Sequence, residues 1–455
     1  MSGKPRTQSS SPHLLALHVL ERTEQDAAFA RPLLDTTFRR TVGLAPAERG
    51  LVTRLVRGTL QWRLQLDWYL ASQLPRGLAH TDLRIRWVLR LGLFGLLHEE
   101  GQPSAIVVDR AVRLAKEAGR ASLAGLVNAV LRRLAERVAG GSLPLPDPVR
   151  DPVGHLAIAA ALPDWLARRW LAELGFAEAL QLGLSLNEPP SLTVRVAAPT
   201  TRDEARAALA QRGILARPAH QAPDALVLED GALVAELEEA VGGALFVQDE
   251  ASILVGHLVH PEPGWTVLDA CAAPGGKAAH LAGLLGGQGE VHARDAGAGR
   301  LRLLTAASRR VPLHVSQRDL LEPPDPKDIA RFDAVLLDAP CSNLGTLRRH
   351  PEAKVRLAES AIVECASRQR RLLDAAAPLV RPGGVLVYSV CSVAPEEGWA
   401  VVDPFLAGEA GALFSVEAPP APALFSGLLD ARGALRTWPH RHGMDGFFAV
   451  RLRRK

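Results

Sequence analysis

Apolar residues recur at helical spacing through the first third of the chain. From Ser10 onward, Leu14, Leu17 and Leu20 follow a Ser-Pro pair that is a typical helix start signal. Similar spacing returns in three further sets: Leu51, Leu55 and Val56; Trp87, Leu91 and Phe94; and Val107, Ala111 and Leu114. The pattern predicts an all-α bundle over residues 1–140, with its last helix ending near Arg137, followed by a Pro/Gly-rich linker at 140–148.

Residues 141–240 combine this linker with short elements of both types and predict a small mixed α/β subdomain. The expected elements are a helix over 163–174, a strand over 191–196, a helix over 202–212 and a strand over 225–228. The pattern does not specify how these four elements pack, so no particular fold is assigned to the subdomain.

From residue 245 strands and helices alternate, as a parallel sheet requires. The candidate strands are 266–270, 290–294, 313–316, 334–338, 385–389, 435–438 and 447–452, and the last two are close enough to form a hairpin. Residues 241–455 therefore predict a Rossmann-like domain of seven strands, five of them parallel. This is the plan of S-adenosylmethionine-dependent methyltransferases.

The first of these strands ends in a turn rich in small residues, Asp-Ala-Cys-Ala-Ala-Pro-Gly-Gly-Lys-Ala at 269–278. In an open α/β sheet, ligands bind beyond the carboxyl ends of the strands, and the following helix offers free N–H groups. The turn lacks the Gly-x-Gly-x-x-Gly pattern of dinucleotide sites, and no Ser or Thr follows Lys277 as in a phosphate loop. An adenosyl cofactor without phosphates is the remaining candidate.

Polar residues follow the carboxyl ends of the other predicted parallel strands. Asp295 stands after the second strand, where a carboxylate can accept hydrogen bonds from ribose hydroxyls, and Asp319 follows the third, facing an adenine edge. The fourth strand ends in Asp-Ala-Pro-Cys-Ser at 338–342 and the fifth in Tyr-Ser-Val-Cys-Ser at 388–392. Because parallel strands end at one edge of a sheet, these residues are predicted to line one crevice.

Cys341 and Cys391 end neighbouring predicted strands, which favours covalent chemistry. Carbon 5 of cytosine is not nucleophilic enough to attack a methyl sulfonium, but a thiolate that adds to carbon 6 makes the ring an enamine that can. A second acid or base then helps the adduct to lose the C5 proton and to expel the thiol. A carboxylic acid near N3, for which Asp338 is the candidate, would stabilise the addition. The alternative is that both thiols are buried small hydrophobic groups.

Charge is unevenly distributed along the 455 residues, although the formal net charge is only +4. Residues 1–140 carry 21 Lys and Arg against 12 Asp and Glu, whereas residues 141–240 carry 8 against 14. The basic first third favours a nucleic-acid contact surface, and a solvated helical face is the alternative.

Lys277 stands out because the chain uses 47 Arg and only six Lys. A Lys at this position therefore indicates a need for a compact ammonium group.

The sequence argues against a membrane span, secretion and metal binding. No apolar run approaches the ~20 residues of a membrane helix, and the first dozen residues lack the apolar core of a signal peptide, so a cytoplasmic protein is expected. The four cysteines form no Cys-x-x-Cys pair, and His280, His314 and the histidines of 438–442 have no ligand-like spacing, so no metal site is expected. A monomer is assumed.

Three motifs together resemble the RNA cytosine-C5 methyltransferases: residues 269–277, Leu-Asp-Ala-Pro-Cys-Ser at 337–342 and Tyr-Ser-Val-Cys-Ser at 388–392. Further segments fit the same family, namely Gln-Asp-Glu-Ala-Ser at 248–252, the basic tract at 347–354 and Asp-Gly-Phe-Phe at 445–448. The segments 51–60 and 128–133 look like the NusB-like helical domain of the bacterial Sun/Fmu (RsmB) type, which acts on 16S rRNA. The resemblance covers nearly the whole chain.

The resemblance implies a role for each matching residue. Cys391 would be the nucleophile, Cys341 would assist release of the methylated base, and Asp338 would lie near both the cofactor and the target base. The S-adenosylmethionine pocket would be lined by Cys271, Ala272, Ala273, Pro274, Gly275, Gly276, Lys277, Asp295, Asp319 and Asp338. The substrate would be a cytosine of 16S rRNA in the small subunit, and the first domain would bind RNA.

The chain departs from the family pattern at three positions that spare the proposed reactive groups. Asn343 follows Pro-Cys-Ser where Gly is usual, Ala278 stands where Thr is common, and Val390 replaces Thr. Apart from Gly, Asn is the residue that best tolerates a positive φ angle, so the loop can keep its shape. Two alternatives stay open: the same chemistry on tRNA, and an inactive RNA-binding ribosome assembly factor. A small-molecule methyltransferase fits least, because it needs neither the two cysteines nor a basic extra domain.

Overall fold

A computed structural model of the protein describes residues 11–41, 43–99, 101–141, 143–229 and 241–455. The predicted helix start at Ser10 and the predicted domain boundary at residue 240 lie outside these residues. The chain divides into two compact units. The first contains the described residues up to Pro189 together with Leu347–Leu357, and the second contains Pro190–Thr346 and Ala358–Lys455. The division into three domains at 140 and 240 stays a prediction.

The first unit is helical, as the apolar spacing predicts. Helix α1 begins at Pro12, and the Ser11 hydroxyl before it accepts a hydrogen bond from the Leu14 N–H. Apolar side chains from the first seven helices form one core. The helices are α1 Pro12–Gln25, α2 Ala30–Arg40, α3 Pro46–Gln61, α4 Arg63–Ala71, α5 Leu83–His98, α6 Ser104–Glu117, α7 Ala124–Ala139, α8 Pro152–Ala159, α9 Asp164–Leu174 and α10 Phe176–Ser185.

A segment from the second half of the chain, Leu347–Leu357, belongs to this helical unit. Lys354 in that segment is buried, and its Nζ donates hydrogen bonds to the Gln61 carbonyl (2.7 Å) and to Asn187 Oδ1 (2.6 Å). Burial lowers the pKa of the Lys354 amino group to about 7. A neutral amine has two N–H donors, so both have an acceptor here. The basic tract noted in the sequence is therefore partly a structural element of the helical unit.

The second unit opens with a four-stranded antiparallel sheet in the order β2-β3-β1-β4. Apolar residues of helix α11 pack on it in a small core. The elements are β1 Leu192–Val196, α11 Arg202–Gln211, β2 Ala216–Pro218, β3 Ala225–Leu228 and β4 Leu245–Val247. The sequence predicted β1, α11 and β3. Strands β2 and β4 have three residues each, which is too short to produce a periodic pattern.

The rest of this unit is built on an eight-stranded sheet. Its order is β10-β12-β9-β8-β5-β6-β7, with β11 paired to β12. The strands are β5 Thr266–Asp269, β6 Glu290–Asp295, β7 His314–Gln317, β8 Phe332–Asp338, β9 Val380–Val390, β10 Phe414–Val416, β11 Leu435–Thr437 and β12 Phe447–Arg454. The accompanying helices are α12 Glu250–Val259, α13 Gly276–Leu284, α14 Ala298–Ser308, α15 Ser360–Ala376, α16 Trp399–Ala407 and α17 Pro439–His442.

The Rossmann-like arrangement and the final hairpin are confirmed, with one strand more than the seven predicted. The parallel strands are β5 to β9, while β12 runs antiparallel to β9 and to β11. The additional strand, β10, pairs with the end of β12 through Phe414 opposite Arg454. Because β10 is three residues long, its sequence carries no alternation from which to predict it.

Strand β5 lies at the position that determines where a ligand can bind. Val267 and Leu268 contribute to different hydrophobic cores, because successive side chains of a strand point to opposite faces of the sheet. On its two sides β5 pairs with β6 and with β8, so the strand order reverses there. Crevices form at such reversals, beyond the carboxyl ends of the strands.

Within the described residues, none of the helices has the length and apolar character needed to cross a membrane.

Candidate active site

Asp269 ends β5 at the reversal of strand order. Its side chain is 1% exposed, and neither carboxyl oxygen has a hydrogen-bond partner among the described residues. Burial, together with the charge of Asp338, raises the pKa of this carboxyl group to about 8. A buried acid without partners is a place where a ligand group can complete the hydrogen bonding.

The turn after β5 is shaped by glycine and joined to β6. Gly275, immediately before α13, has a φ of 109°, a conformation that other residues rarely adopt. A Cβ at this position would also lie 2.8 Å from the Cβ of Ala307, so both conformation and space require glycine. The Ala273 N–H donates to Asp295 Oδ2 (3.3 Å). The turn and the end of β6 therefore form one continuous wall.

Asp295 and Asp319, for which the sequence predicts contacts to ribose and adenine, follow adjacent strands at this same edge. Asp295 is buried, and its Oδ1 lies 3.0 Å from Arg300 Nη2. Asp319 Oδ1 accepts a hydrogen bond from the Leu321 N–H (3.0 Å). The backbone links the two sites, since the Arg318 N–H donates to the Asp295 carbonyl (3.1 Å). The contacts to ribose and adenine themselves stay predictions.

Lys277 forms an ion pair with Asp338. Its Nζ lies 2.8 Å from Asp338 Oδ2, and the Ser389 hydroxyl donates to the other oxygen, Oδ1 (2.8 Å). Although burial opposes charging of Lys277, the neighbouring Asp338 raises the pKa of its ammonium above the ordinary value. The ammonium group contacts a single carboxylate oxygen, which agrees with the prediction that this position needs a compact ammonium rather than a planar guanidinium. The pair connects the turn after β5 with the ends of β8 and β9.

The two predicted reactive thiols come together at the ends of β8 and β9. The sulfur atoms of Cys341 and Cys391 are 3.2 Å apart. The hydrogen bond with Cys391, reinforced by burial, raises the pKa of the Cys341 thiol well above its ordinary value. In the resting protein Cys341 is therefore a neutral thiol that can donate to its neighbour.

A buried network centred on Glu397 holds both cysteine loops. One oxygen of Glu397 accepts from the Ser342 N–H (2.8 Å) and from Gln369 Nε2 (2.9 Å), and the other accepts from the Ser342 hydroxyl. The Ser392 hydroxyl lies 3.2 Å from that of Ser342. Because Ser342 and Ser392 directly follow Cys341 and Cys391 in the sequence, the network fixes the loops that carry the sulfur atoms.

The structure thus brings the predicted turn, the strand-end carboxylates and both cysteines to one edge of the sheet. Sequence reasoning missed Glu397 and Gln369, and it assigned no role to Asp269. Glu397 stands six residues after Cys391 in an acidic pair that reads as a solvated surface, so its complete burial had no sequence signal. A carboxyl group within an otherwise apolar strand was a usable signal for Asp269.

Comparison with known proteins identifies the family. A family model described as 16S rRNA methyltransferase RsmB/F matches residues 257–453, a NusB family model matches residues 10–136, and a model of an RsmF/B-like ferredoxin-like domain matches residues 162–235. The chain is 36% identical over 459 residues to ribosomal RNA small subunit methyltransferase B of Thermus thermophilus, and the alignment covers 98% of both chains. The chain belongs to the RsmB/F family.

Further relatives agree with the RsmB/F assignment. The chain is 33% identical over 449 residues to the Bacillus subtilis protein named "Probable ribosomal RNA small subunit methyltransferase B", covering 97% of this chain and 98% of that protein. The crystal structure of PH0851 is 25% identical with a TM-score of 0.79, covering 98% of this chain and 100% of that one. NSun6 from Pyrococcus horikoshii with SFG shares the fold at 22% identity and a TM-score of 0.56, covering 65% and 99%. The predicted resemblance is confirmed.

Among the residues that the structure describes, one side-chain group outside the motifs shared with the RsmB/F family has the composition of a metal site. Ligand atoms of Asp224, His257 and His280 all lie within 4.8 Å of one another. The two Nε2 atoms lie 2.9 and 3.0 Å from the two Asp224 oxygens, which are hydrogen-bond distances. Burial lowers the pKa of the His280 imidazole to about 3. Asp224 thus lies between the two imidazoles, while neither ring nitrogen of His280 has a well-aligned hydrogen bond within the described residues.

Proposed function

We propose that this RsmB/F-family chain is an S-adenosylmethionine-dependent methyltransferase that forms 5-methylcytosine in 16S rRNA through a covalent cysteine–cytosine intermediate. The observation that carries the proposal is the 3.2 Å approach of the Cys341 and Cys391 sulfur atoms at adjoining strand ends. Methylation of a nitrogen or oxygen atom needs no enzyme nucleophile. Methylation of cytosine C5 does, because the ring must first be activated by addition at C6.

The crevice fits the proposed cofactor. The Asp269 oxygens, which are buried and have no hydrogen-bond partner among the described residues, suit a ligand ammonium group such as that of the methionine part. The turn before α13 carries only small side chains from Ala272 to Gly276, which permits close approach of a ligand, and Asp295 and Asp319 provide acceptors along the same edge. When bound, S-adenosylmethionine supplies an electrophilic methyl group.

The first step is addition of Cys391 to the base. The thiolate sulfur forms a bond to C6, and the ring electrons move toward N3, which takes up a proton. That proton can pass from the Lys277 ammonium to Asp338 across their 2.8 Å contact and from Asp338 to N3. The Ser389 hydroxyl holds Asp338 in place throughout. Carbon 5 then takes the methyl group.

The second step is release of the methylated base. The C5 proton passes to water, and the C6–S bond breaks with its electron pair returning to the Cys391 sulfur. The N3 proton returns through Asp338 to Lys277, which restores their starting protonation. Cys341 assists because its thiol lies 3.2 Å away and can donate a hydrogen bond to the thiolate as it leaves. The raised pKa of Cys341 keeps it protonated for this role.

The RNA substrate rests on two arguments. The Thermus thermophilus relative is named ribosomal RNA small subunit methyltransferase B, and residues 10–136, which lie in the basic first third, match the NusB family. Positive charge supplies affinity for phosphates without sequence preference. A cytosine in a helical RNA must also leave its stack before it can enter the crevice between strand ends.

The test is transfer of labelled methyl groups from S-adenosylmethionine to unmodified 16S rRNA, with nuclease digestion to identify the product. We expect label in 5-methylcytosine. Label in another base would overturn the proposed chemistry. Transfer to tRNA but not to 16S rRNA would make tRNA the substrate in place of rRNA. Tight RNA binding without cofactor binding would instead support an inactive assembly factor.

A further inference from the structure

Asn343 places a carboxamide against both reactive sulfur atoms. Its Oδ1 lies 3.1 Å from the Cys391 sulfur and 3.9 Å from the Cys341 sulfur. The residue has a positive φ of 61°, which turns the chain back toward the cysteines directly after Ser342.

The orientation of the carboxamide is set by its own loop. Its Nδ2 donates to the Cys341 carbonyl (3.1 Å), which leaves Oδ1 directed at the sulfur atoms. The Asn343 carbonyl accepts hydrogen bonds from the backbone N–H (3.0 Å) and the hydroxyl (3.1 Å) of Thr346. An oxygen held in this position has no hydrogen to donate, so toward Cys391 it can act only as an acceptor.

An acceptor at this distance favours the thiol over the thiolate. A hydrogen bond to the neutral form of an acid opposes its ionisation, since a carbonyl oxygen cannot solvate a negative sulfur. The charged and titratable groups around Cys391 are Lys277 and Cys341, with Asp338 bonded to Lys277 and Glu397 to the residue after Cys341.

We propose that Asn343 is a positioning residue that holds Cys391 as a neutral thiol in the resting protein by accepting its S–H hydrogen bond. The assignment of Cys391 as nucleophile rests on the proposed function, whereas the contact itself does not. The hydrogen bond delays formation of the thiolate until a cytosine that enters the crevice displaces the carboxamide and the S–H proton passes to water. The nucleophile is thereby less reactive toward other electrophiles when no substrate is bound.

The experiment measures the reactivity of Cys391 without RNA or cofactor. The full chain is treated with iodoacetamide at pH 5 to 10, and peptide mapping by mass spectrometry follows alkylation of Cys391. Wild type is compared with Asn343→Gly and Asn343→Asp, because Gly, Asn and Asp all accept a positive φ and keep the loop. The readout is the pH midpoint of alkylation, which a simple change in access would leave unmoved.

The two variants are expected to move that midpoint in opposite directions. Asn343→Gly removes the acceptor and lowers the midpoint by about 0.7 pH unit, which is about fivefold faster alkylation on the acid side. Asn343→Asp brings a negative charge to the sulfur and raises the midpoint by about one unit or more. Midpoints that coincide for all three proteins, or shift in the same direction, would overturn the proposal.

Methyl transfer separates this inference from the proposed function. If wild type forms no 5-methylcytosine, the proposed function fails, while the alkylation midpoints still report on Asn343. If wild type is active, the acid limb of its pH–rate profile is expected to shift downward in Asn343→Gly and upward in Asn343→Asp. A lower rate with an unshifted profile would assign Asn343 a purely structural role.

Discussion

Gly345 and Gly446 approach each other so closely that neither strand-end loop can carry a side chain at the contact. A Cβ on Gly345 would come 1.8 Å from the carbonyl oxygen of Gly446. The Gly446 N–H donates to the Gly345 carbonyl (2.9 Å), and the Gly345 N–H donates to the Cys391 carbonyl (3.1 Å). The loop after Cys341 is thus joined by backbone hydrogen bonds to the loop of the proposed nucleophile.

Gly345→Ala is expected to separate these loops. The new methyl group has no room, so we expect a loss of about 1–3 kcal/mol in the free energy of unfolding and a fall in methyl transfer of at least tenfold. Urea denaturation and the labelled methyl assay measure the two effects. Gly299→Ala is the matched control, because a Cβ there meets no atom within 4 Å. Full activity of Gly345→Ala would show that the close approach is not required.

Glu397→Ala is expected to reduce both stability and turnover. It leaves the Ser342 N–H and one of the two N–H groups of the Gln369 amide buried without an acceptor, which costs about 1–3 kcal/mol, while the other still donates to the Pro340 carbonyl. Glu397→Gln keeps one acceptor oxygen, and its new NH₂ group can donate to the Ser342 hydroxyl, so its loss is expected to be smaller. Chemical denaturation and methyl transfer are compared with Glu409→Ala, a change of an exposed glutamate. Equal effects of the Ala and Gln variants would argue against the network as the cause.

The two cysteines are expected to fail at different steps. Cys391→Ala cannot add to C6, so neither methyl transfer nor a covalent complex should form. Cys341→Ala should add and methylate but release slowly, so a protein–RNA complex that survives denaturing electrophoresis should accumulate. Cys365→Ala, which changes a half-buried thiol of α15, should behave like wild type. An active Cys391→Ala protein would contradict the mechanism.

Lys354 is expected to make stability depend on pH. Its pKa of about 7 in the folded protein lies below the value of about 10.4 for an exposed lysine, so between these values the unfolded chain binds more protons. Stability contributed by this group therefore rises with pH through that window, by about 1.4 kcal/mol per unit at most. Urea midpoints of wild type at pH 7, 8 and 9 should rise relative to those of Lys354→Met.

Lys327→Met is the control for this prediction, since its side chain is 71% exposed. Its midpoints should run parallel to those of wild type over the same pH range. A difference between wild type and Lys354→Met that does not change with pH would show that the amino group stays charged when buried.

The sequence predicted those features that repeat or that cluster at strand ends. Leucines at helical spacing, such as Leu14 and Leu17, predicted the helical unit, and apolar runs separated by helices predicted the parallel sheet. The position of Asp338 and Cys341 after one strand and Cys391 after the next predicted their proximity, because parallel strands end at one edge. The sulfur atoms at 3.2 Å agree with that prediction.

What the sequence could not predict depends on contacts between distant segments. Glu397 is buried because it accepts hydrogen bonds from Ser342 and Gln369. Both residues are distant from it in the sequence, so no local pattern indicates the contact. The need for glycine at 345 follows from the approach of Gly446, about a hundred residues later. Strand β10 has three residues and no alternation of its own. Each of these is defined by its partner rather than by a local pattern.

The inclusion of Leu347–Leu357 in the helical unit has a consequence for how such proteins evolve. Besides the contacts of Lys354, Glu352 of this segment accepts a hydrogen bond from the Ala30 N–H (3.0 Å), and Arg356 donates one to the Ala28 carbonyl (3.0 Å). A gene fragment that encoded only residues 190–455 would deprive these side chains of every one of those partners. Recombination could exchange the two parts only by replacing, at the same time, eleven codons in the middle of the methyltransferase region.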